Sequence, residues 1–142
     1  TVYKNILYQD LTKTSFLDQS FNTIITWKVL EHIPNYKSAL HEIYRTLKKD
    51  GDLIISVPFD LNKYDNTVRA VLNTNGEIEH ILEPEYHGDP VEIEGGCLCF
   101  QTFGWELLDQ LKAVGFKETM IYSTWSIKNG ILGDICFIRA KK

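Results

Sequence analysis

Two short apolar stretches, separated by an amphipathic segment, dominate the pattern of the chain. Thr23–Trp27 and Leu53–Val57 contain only apolar residues, threonine and serine, which is typical of strands buried on both faces. Between them, apolar residues recur at helical spacing, at Ala39, Leu40, Ile43, Tyr44 and Leu47. The pattern predicts strand, helix and strand, which is one right-handed crossover between neighbouring parallel strands.

The predicted helix has recognisable ends. Pro34-Asn35 opens it, because Asn35 can accept a hydrogen bond from a free amide of the first turn. Lys48 and Lys49 complement the negative end of the helix dipole, and Gly51 supplies a left-handed stop.

Weaker patterns flank this unit. Residues 5–9 are predicted to form a short strand that ends at Asp10. A second helix is predicted from a cap at Thr102 through Val114, with Gly115 as its stop. Phe116–Trp125 and Asp134–Ala140 are predicted as the last two strands, and their short connection requires an antiparallel pair. The fold class is α/β: a partial Rossmann-like sheet of parallel strands with helices and a C-terminal antiparallel hairpin.

Residues 60–101 show no regular framework pattern. NTVRAVLN could form a short helix and EIEHILEP a strand or an edge hairpin, and Gly88, Pro90, Gly95 and Gly96 interrupt the rest. A long insertion after the carboxyl end of a strand is where α/β enzymes build substrate lids. We therefore interpret residues 1–142 as one domain with a lid at 60–101.

Charge and composition exclude several function classes. The net charge is −4, and residues 60–103 hold nine acidic side chains against two basic ones. Such an acidic segment repels phosphate backbones, so we expect no nucleic-acid partner. No apolar run is long enough to span a bilayer, so no membrane partner is expected. Three cysteines in an α/β sequence indicate reduced thiols and a cytoplasmic location.

Candidate acid–base residues follow the first apolar strand and recur in the insertion. Glu31 and His32 are adjacent, and a histidine beside a carboxylate could act as a general base. Adjacent residues point in different directions, however, so the pair could instead only hold its loop through hydrogen bonds to the backbone. His87, in YHGDP, is a third candidate because the surrounding glycine and proline suggest an ordered turn.

The same region gives little indication of a metal site. His80, Glu83, Glu85 and His87 could be imagined as ligands, but their spacing is not the tight one of known metal motifs. Cys97, Cys99 and Cys136 lack a fourth ligand, so free thiols are the simpler interpretation. No metal is predicted.

Five segments together resemble a known family. YQDLTKTSFLDQSFNTI, VLEHI, ALHEIYRTLKKDG, DLIISVPF and TFGWELLDQLKAVGF resemble the class I S-adenosylmethionine-dependent methyltransferases, over residues 5–59 and 102–141. Asn22 departs mildly, because the family usually has aspartate there. The resemblance implies methyl transfer from S-adenosylmethionine to a small organic acceptor, covered by the insertion.

The resemblance also assigns cofactor-binding roles. Asp10 matches the aspartate that accepts a hydrogen bond from the adenine amino group, and Leu11 the residue whose backbone amide reaches the ring. Trp27 and Lys28 end the strand that flanks the methionine portion of the cofactor. For Asp10 a turn cap, and for Trp27 plain core packing, are the alternatives.

One family feature is missing from these residues. The family grips the cofactor with a glycine-rich turn after its first strand, and no G-x-G pattern occurs here. We therefore expect the chain to be the C-terminal part of a methyltransferase, to bind S-adenosylmethionine poorly by itself and to be inactive in isolation. Strand 23–27 would then have an unpaired apolar edge, and self-association through it is expected.

Two other interpretations stay open. A nicotinamide dehydrogenase has a similar sheet, although the antiparallel hairpin and the VLEHI loop favour the methyltransferase. A non-catalytic methyltransferase-like module with a binding or interaction role is the other alternative.

Overall fold

A four-stranded sheet forms the centre of the fold. The structure, a computed structural model, describes residues 6–88 and 95–142, with only the backbone for 133–135. The strands of the sheet are β1 (Phe21–Trp27), β2 (Leu47–Ser56), β9 (Glu118–Ser126) and β10 (Ile131–Lys141). They lie in the order β1-β2-β10-β9.

The predicted crossover is confirmed. β1 and β2 pair in parallel, with Ile24 opposite Leu53 and Ile25 opposite Ile54, and helix α1 (Tyr36–Thr46) connects them. The predicted antiparallel hairpin is also confirmed, since β10 pairs antiparallel with both β9 and β2.

The start of α1 follows the prediction and its end does not. Asn35 caps the helix, its side chain accepting from the Ser38 amide at 3.3 Å. The helix ends at Thr46, so Leu47, predicted to be helical, is the first residue of β2. Asp50, with φ 60°, takes the left-handed conformation expected of Gly51. Gly51 is required for another reason: a Cβ there would lie 2.9 Å from the Lys48 carbonyl oxygen and 3.0 Å from that of Asn22.

One other predicted element and one predicted helix cap were wrong. Residues 6–10 form no strand, because no described strand pairs with them and Asp10 instead bonds the following turn; residue 5 lies outside the described residues. Helix α2 runs from Glu106 to Val114, and Thr102, its predicted cap, lies in a strand. Gly115 does end the helix, with φ 125°.

The region 60–101 forms small antiparallel ladders. β3 (Thr67–Val68) pairs with β8 (Gln101–Thr102), β4 (Ala70–Leu72) with β5 (Ile78–His80), and β6 (Tyr86–His87) with β7 (Cys97–Leu98). The helix suggested for NTVRAVLN was wrong: the Arg69 and Ala70 amides donate to the Phe100 carbonyl instead of to a helical turn. The strand suggested within EIEHILEP is confirmed as β5. Pro90 lies outside the described residues.

One apolar core joins the sheet to both helices. It includes Leu40 and Ile43 of α1, Leu53 and Ile55 of β2, and Leu107 and Leu111 of α2, all fully or almost fully buried. Neither helix, at 11 and 9 residues, could cross a membrane.

Candidate functional site

The turn after β1 positions the adjacent pair Glu31 and His32. Lys28, with a left-handed φ of 55°, donates its amide to the Ser56 carbonyl at the end of β2, at 2.8 Å. A single 3-10 turn, Leu30–His32, follows. The pair therefore lies by the carboxyl ends of two parallel strands, the edge at which open α/β sheets bind ligands.

Glu31 is a buried carboxylate that lacks a bonded partner. Its exposure is 0%, and within the described part of the chain neither carboxylate oxygen has a hydrogen-bond partner. Two imidazole nitrogens lie near its Oε1: His32 Nε2 at 3.9 Å and His87 Nδ1 at 3.8 Å. Both separations exceed hydrogen-bond length. The structure thus brings together the three residues that the sequence suggested as acid–base candidates.

Each imidazole is held at its other ring nitrogen by an oxygen. His32 Nδ1 lies 2.8 Å from the Leu98 carbonyl, and His87 Nε2 lies 3.0 Å from a carboxylate oxygen of Glu85. Because a carbonyl and an ionised carboxylate only accept, a neutral imidazole carries its proton on the nitrogen facing them. The lone pairs of His32 Nε2 and His87 Nδ1 are then directed towards the Glu31 side.

The β6–β7 ladder fixes the position of His87. His87 pairs with Cys97 and Tyr86 with Leu98 across it. Gly96, with φ 69°, precedes β7, and a Cβ there would lie 2.5 Å from the His87 carbonyl oxygen. Glycine is therefore needed for the two chains to approach this closely.

Two supporting residues were missed by the sequence analysis. Gln101 is almost fully buried, and its Nε2 donates to the carbonyls of Leu30 at 2.8 Å and Ile33 at 3.1 Å, which fixes the turn that carries Glu31. Arg69 Nη2 lies 3.2 Å from Glu85 Oε2. A signal for Gln101 did exist in its spacing. If residues 97–101 are extended, Cys97, Cys99 and Gln101 point to the same face.

Cys99 adds a buried thiol next to the histidines. Its Sγ and ligand atoms of Glu85 and His87 all lie within 4.8 Å of one another. Burial raises the pKa of the Cys99 thiol to about 11, with a further contribution from the negative charges of Glu85 and Glu31. Cys99 and Cys136 have free thiols. His80 is exposed in β5 and belongs to neither group of potential ligands found among the described residues.

Of the four predicted cofactor-binding residues, Asp10 and Leu11 lie in the loop before β1, and Trp27 and Lys28 lie where β1 ends. Asp10 is exposed, and its Oδ1 accepts from the Thr12 amide at 2.8 Å and the Thr12 hydroxyl at 2.7 Å; these bonds lower its pKa. Leu11 packs against the core. Trp27, 53% exposed, is the last residue of β1, and Lys28 follows it. Among the described residues, no hydrogen bond or ion pair joins Asp10 to Trp27 or Lys28.

Two cavities lie beside α1, and the lining of one of them includes a predicted cofactor-binding residue, Leu11. One of about 230 Å³ is lined by Leu11 and side chains of β1 and α1, including Ile24 and Ile43. A larger one, of about 440 Å³, opens beside the start of α1 and is lined by Tyr36, Gln101 and others. Gln101 therefore links the larger cavity to the Glu31 turn.

Comparisons with solved structures show the same fold. The chain is similar to an S-adenosylmethionine-dependent methyltransferase from Mesorhizobium loti (10% identity, 94% of this chain and 67% of that one, TM-score 0.58). It is similar to a possible histamine N-methyltransferase from Thermotoga maritima (18%, 96% and 63%, 0.58). It is also similar to the 1,6-didemethyltoxoflavin-N1-methyltransferase from Burkholderia thailandensis, which has 1,6-didemethyltoxoflavin and S-adenosylhomocysteine bound (18%, 93% and 48%, 0.54).

The chain thus spans between 48% and 67% of the length of these three proteins. No curated protein matches it. A family model described as a methyltransferase domain matches residues 4–117. With this match over most of its length and the sheet order described above, the chain belongs to the methyltransferase-domain family and has a class I fold.

Proposed function

We propose that this chain is part of an enzyme that transfers a methyl group from S-adenosylmethionine to a small organic acceptor in the cytoplasm. The observation that carries the proposal is the convergence of Glu31, His32 and His87 beside the carboxyl ends of β1 and β2. Family membership supplies the reaction class, and the convergence supplies a polar site at the edge where such sheets bind ligands.

The residues on the adenine side fit the cofactor. The Asp10 carboxylate is ionised at neutral pH, as an exposed aspartate ordinarily is. Both bonds from Thr12 go to Oδ1, so Oδ2 is available to an amino group. Trp27 and Ile25, 53% and 63% exposed, offer apolar surface at the end of β1. The cofactor would supply an electrophilic methyl group.

The chain itself would orient the acceptor and accept its proton. In-line displacement needs alignment, exclusion of water and, for a hydroxyl or amine, loss of a proton. His32 and His87 each direct one ring nitrogen towards Glu31, and a proton taken there would form an ion pair with that buried carboxylate. The 440 Å³ cavity, whose lining includes Gln101 but none of Glu31, His32 and His87, is large enough for a small acceptor.

The cofactor proposal is tested by titrating the isotopically labelled chain with S-adenosylhomocysteine and following amide shifts by NMR. We expect shifts at Asp10–Leu11 and Trp27–Lys28, with a dissociation constant above about 100 μM, because the 142 residues contain no glycine-rich turn. Asp10→Asn should weaken binding, whereas Asp65→Asn should not.

Three results would contradict this proposal: shifts confined to other residues, no shift at millimolar ligand, or equal effects of the two variants. Low-micromolar affinity in a calorimetric titration would contradict the expected weakness. It would also count against the alternative of a non-catalytic module.

We also propose that the outer edge of β1 pairs with a second copy of the chain. β1 is the terminal strand of the described sheet, and the exposed Ile25 and Trp27 lie on it. A terminal strand with apolar side chains and unpaired backbone groups favours pairing with another strand.

A further inference from the structure

The Glu31–His32–His87 cluster, meaning the carboxylate and the two imidazole nitrogens that face it, has the donor set of a transition-metal site. Ligand atoms of the three residues all lie within 4.8 Å of one another. Two imidazoles and one carboxylate suit divalent zinc and its neighbours in the first transition row, whereas magnesium and calcium prefer oxygen ligands alone.

Glu31 gives an independent indication that a cation belongs there. Its buried carboxylate has no hydrogen-bond partner among the described residues, and an ionised group in such surroundings is strongly unfavourable unless a charge offsets it. The neighbouring imidazoles do not bond to it, at 3.8 and 3.9 Å. A cation between the three groups would satisfy all of them at once.

The distances leave room for such an ion. Zinc bonds nitrogen and carboxylate oxygen at about 2.0–2.2 Å, so two ligands of a tetrahedral ion lie roughly 3.3–3.5 Å apart. The observed 3.8 and 3.9 Å would need to shorten by about half an ångström. Rotation of partly exposed imidazoles can supply this, since 14% and 29% of the side chains of His32 and His87 are exposed.

The outer partners of the imidazoles have the arrangement typical of zinc ligands. A metal-bound histidine usually donates its other N–H to a carbonyl or carboxylate, which fixes the tautomer and the ring. His32 has the Leu98 carbonyl in this role and His87 has the Glu85 carboxylate. Arg69 in turn holds Glu85. Both rings are therefore oriented before any ion arrives.

We infer that Glu31, His32 and His87 bind one divalent transition-metal ion of the zinc class, with at least one coordination position open. The sequence analysis predicted no metal, and it considered His80 and Glu83 in place of Glu31 and His32. The missing information was tertiary, because Glu31 and His87 are 56 positions apart. They meet because Leu98 of β7 and the Phe100 amide bond the turn that carries Glu31 and His32.

An open position gives the ion a chemical use. A bound zinc ion lowers the pKa of a coordinated water or hydroxyl group. The role of this position in holding the oxygen or nitrogen of an acceptor rests on the proposed function. Metal binding by the cluster does not depend on the proposed function, and its test measures no methyl transfer. Failure of the metal proposal can therefore be distinguished from failure of the proposed function.

The test is titration of the metal-free chain with Co²⁺, followed by visible absorption, and with Zn²⁺, followed by calorimetry. We expect one ion per chain and the visible bands of four- or five-coordinate cobalt. Glu31→Gln and His87→Ala should each weaken binding by about 100-fold or more, since even outer partners of metal ligands are worth about 10- to 100-fold. His41→Ala is the matched control, because His41 is exposed on α1, and should bind like the parent chain.

Glu31→Gln is the decisive variant, because it preserves side-chain volume and removes a buried charge, so its fold should persist and circular dichroism can verify this. Absence of binding below about 100 μM, or equal affinity of Glu31→Gln and the parent chain, would overturn the inference. Loss of binding in Cys99→Ser, together with a near-ultraviolet sulfur-to-cobalt band in the parent, would also overturn it, because the ligands would then be Glu85, His87 and Cys99.

Discussion

At the scale of single residues, Glu42 connects the loop before β1 to helix α1. Its Oε1 accepts from the Thr14 amide at 2.8 Å and the Thr14 hydroxyl at 2.9 Å. Arg45 donates to both oxygens of the same carboxylate, at 2.6 and 2.9 Å, and also to the Phe16 carbonyl at 2.8 Å. Arg45 and Thr14 lower the pKa of Glu42 to about 2 from its ordinary 4.5.

This carboxylate makes stability dependent on pH. A depressed pKa contributes stability above the ordinary value of 4.5 and loses it as pH falls towards about 2. At pH 7, Glu42→Gln should reduce the free energy of unfolding by about 1–2 kcal/mol, because charge-assisted hydrogen bonds are lost. The difference from the parent chain should shrink between pH 4.5 and pH 2. Urea unfolding across this range measures it.

The exposed Glu118 provides the control. Glu118→Gln should change stability little at any pH. A constant difference between Glu42→Gln and the parent chain from pH 7 to pH 2.5 would show that the Glu42 carboxylate is not the group responsible.

The candidate site shows how far single residues can be predicted from sequence. Glu31, His32 and His87 were identified from residue type and local context. Their convergence was not, because nothing local brings a residue of the insertion to the turn after β1. The Glu31 carboxylate is buried and has no hydrogen-bond partner among the described residues, and this too depends on tertiary packing that local sequence does not show. The side chains of the adjacent Glu31 and His32 were expected to point in different directions. In the structure, Glu31 Oε1 and His32 Nε2 nevertheless lie 3.9 Å apart.

At the scale of elements, the short β6–β7 ladder controls His87. It contains two residue pairs and is extended by the bond from the Cys99 amide to the Glu85 carbonyl, at 2.8 Å. So short a ladder contributes little by itself, and its geometry depends on the tight approach at Gly96.

Gly96→Ala should open this ladder. The new Cβ would lie 2.5 Å from a backbone oxygen at a φ of 69°, and the combined strain is about 1–3 kcal/mol. Hydrogen exchange at the Cys99 amide should accelerate, and the imidazole signals of His87 should shift in NMR spectra.

Gly95→Ala is a matched control, because Gly95 also has a positive φ, 111°, but a Cβ there would meet nothing within 4 Å. It should accelerate exchange at Cys99 less than Gly96→Ala does. If exchange at the Cys99 amide accelerates similarly in both variants, the cause is the positive φ of the backbone alone. The contact between the new Cβ and the His87 carbonyl would then not be responsible.

Elements were predictable where periodicity and packing agree. β1, α1 and β2 follow directly from their apolar patterns, because each faces the same core. Residues 5–9 have a strand-like composition, yet residues 6–9 form no strand, since a strand needs a paired neighbour. NTVRAVLN has an ambiguous short pattern. Hydrogen bonds that its Arg69 and Ala70 amides donate to the Phe100 carbonyl resolve it in favour of strands, and those bonds join residues about 30 positions apart.

At the scale of the whole molecule, the sheet ends in two different edges. β9, at one edge, includes the charged Glu118 together with the exposed apolar side chains of Met120, Tyr122 and Trp125. β1, at the other, has exposed Ile25 and Trp27, 63% and 53% exposed, and carries no charged side chain between Phe21 and Trp27. Natural edge strands usually carry lysine, proline or a bulge that discourages pairing. Both edges are apolar in part, and the lack of a charged side chain on β1 favours it as the associating edge.

Self-association through β1 should therefore depend on concentration and on Ile25. In sedimentation velocity, the parent chain should shift from monomer to dimer as concentration rises. Ile25→Lys should remain monomeric, because a lysine on an edge strand would have to be buried against the partner. Ile127→Lys is the matched control: Ile127 is 73% exposed but lies in the turn between β9 and β10, so this variant should dimerise like the parent chain. A parent chain that stays monomeric at every concentration, or identical behaviour of the two lysine variants, would show that β1 is not the associating edge.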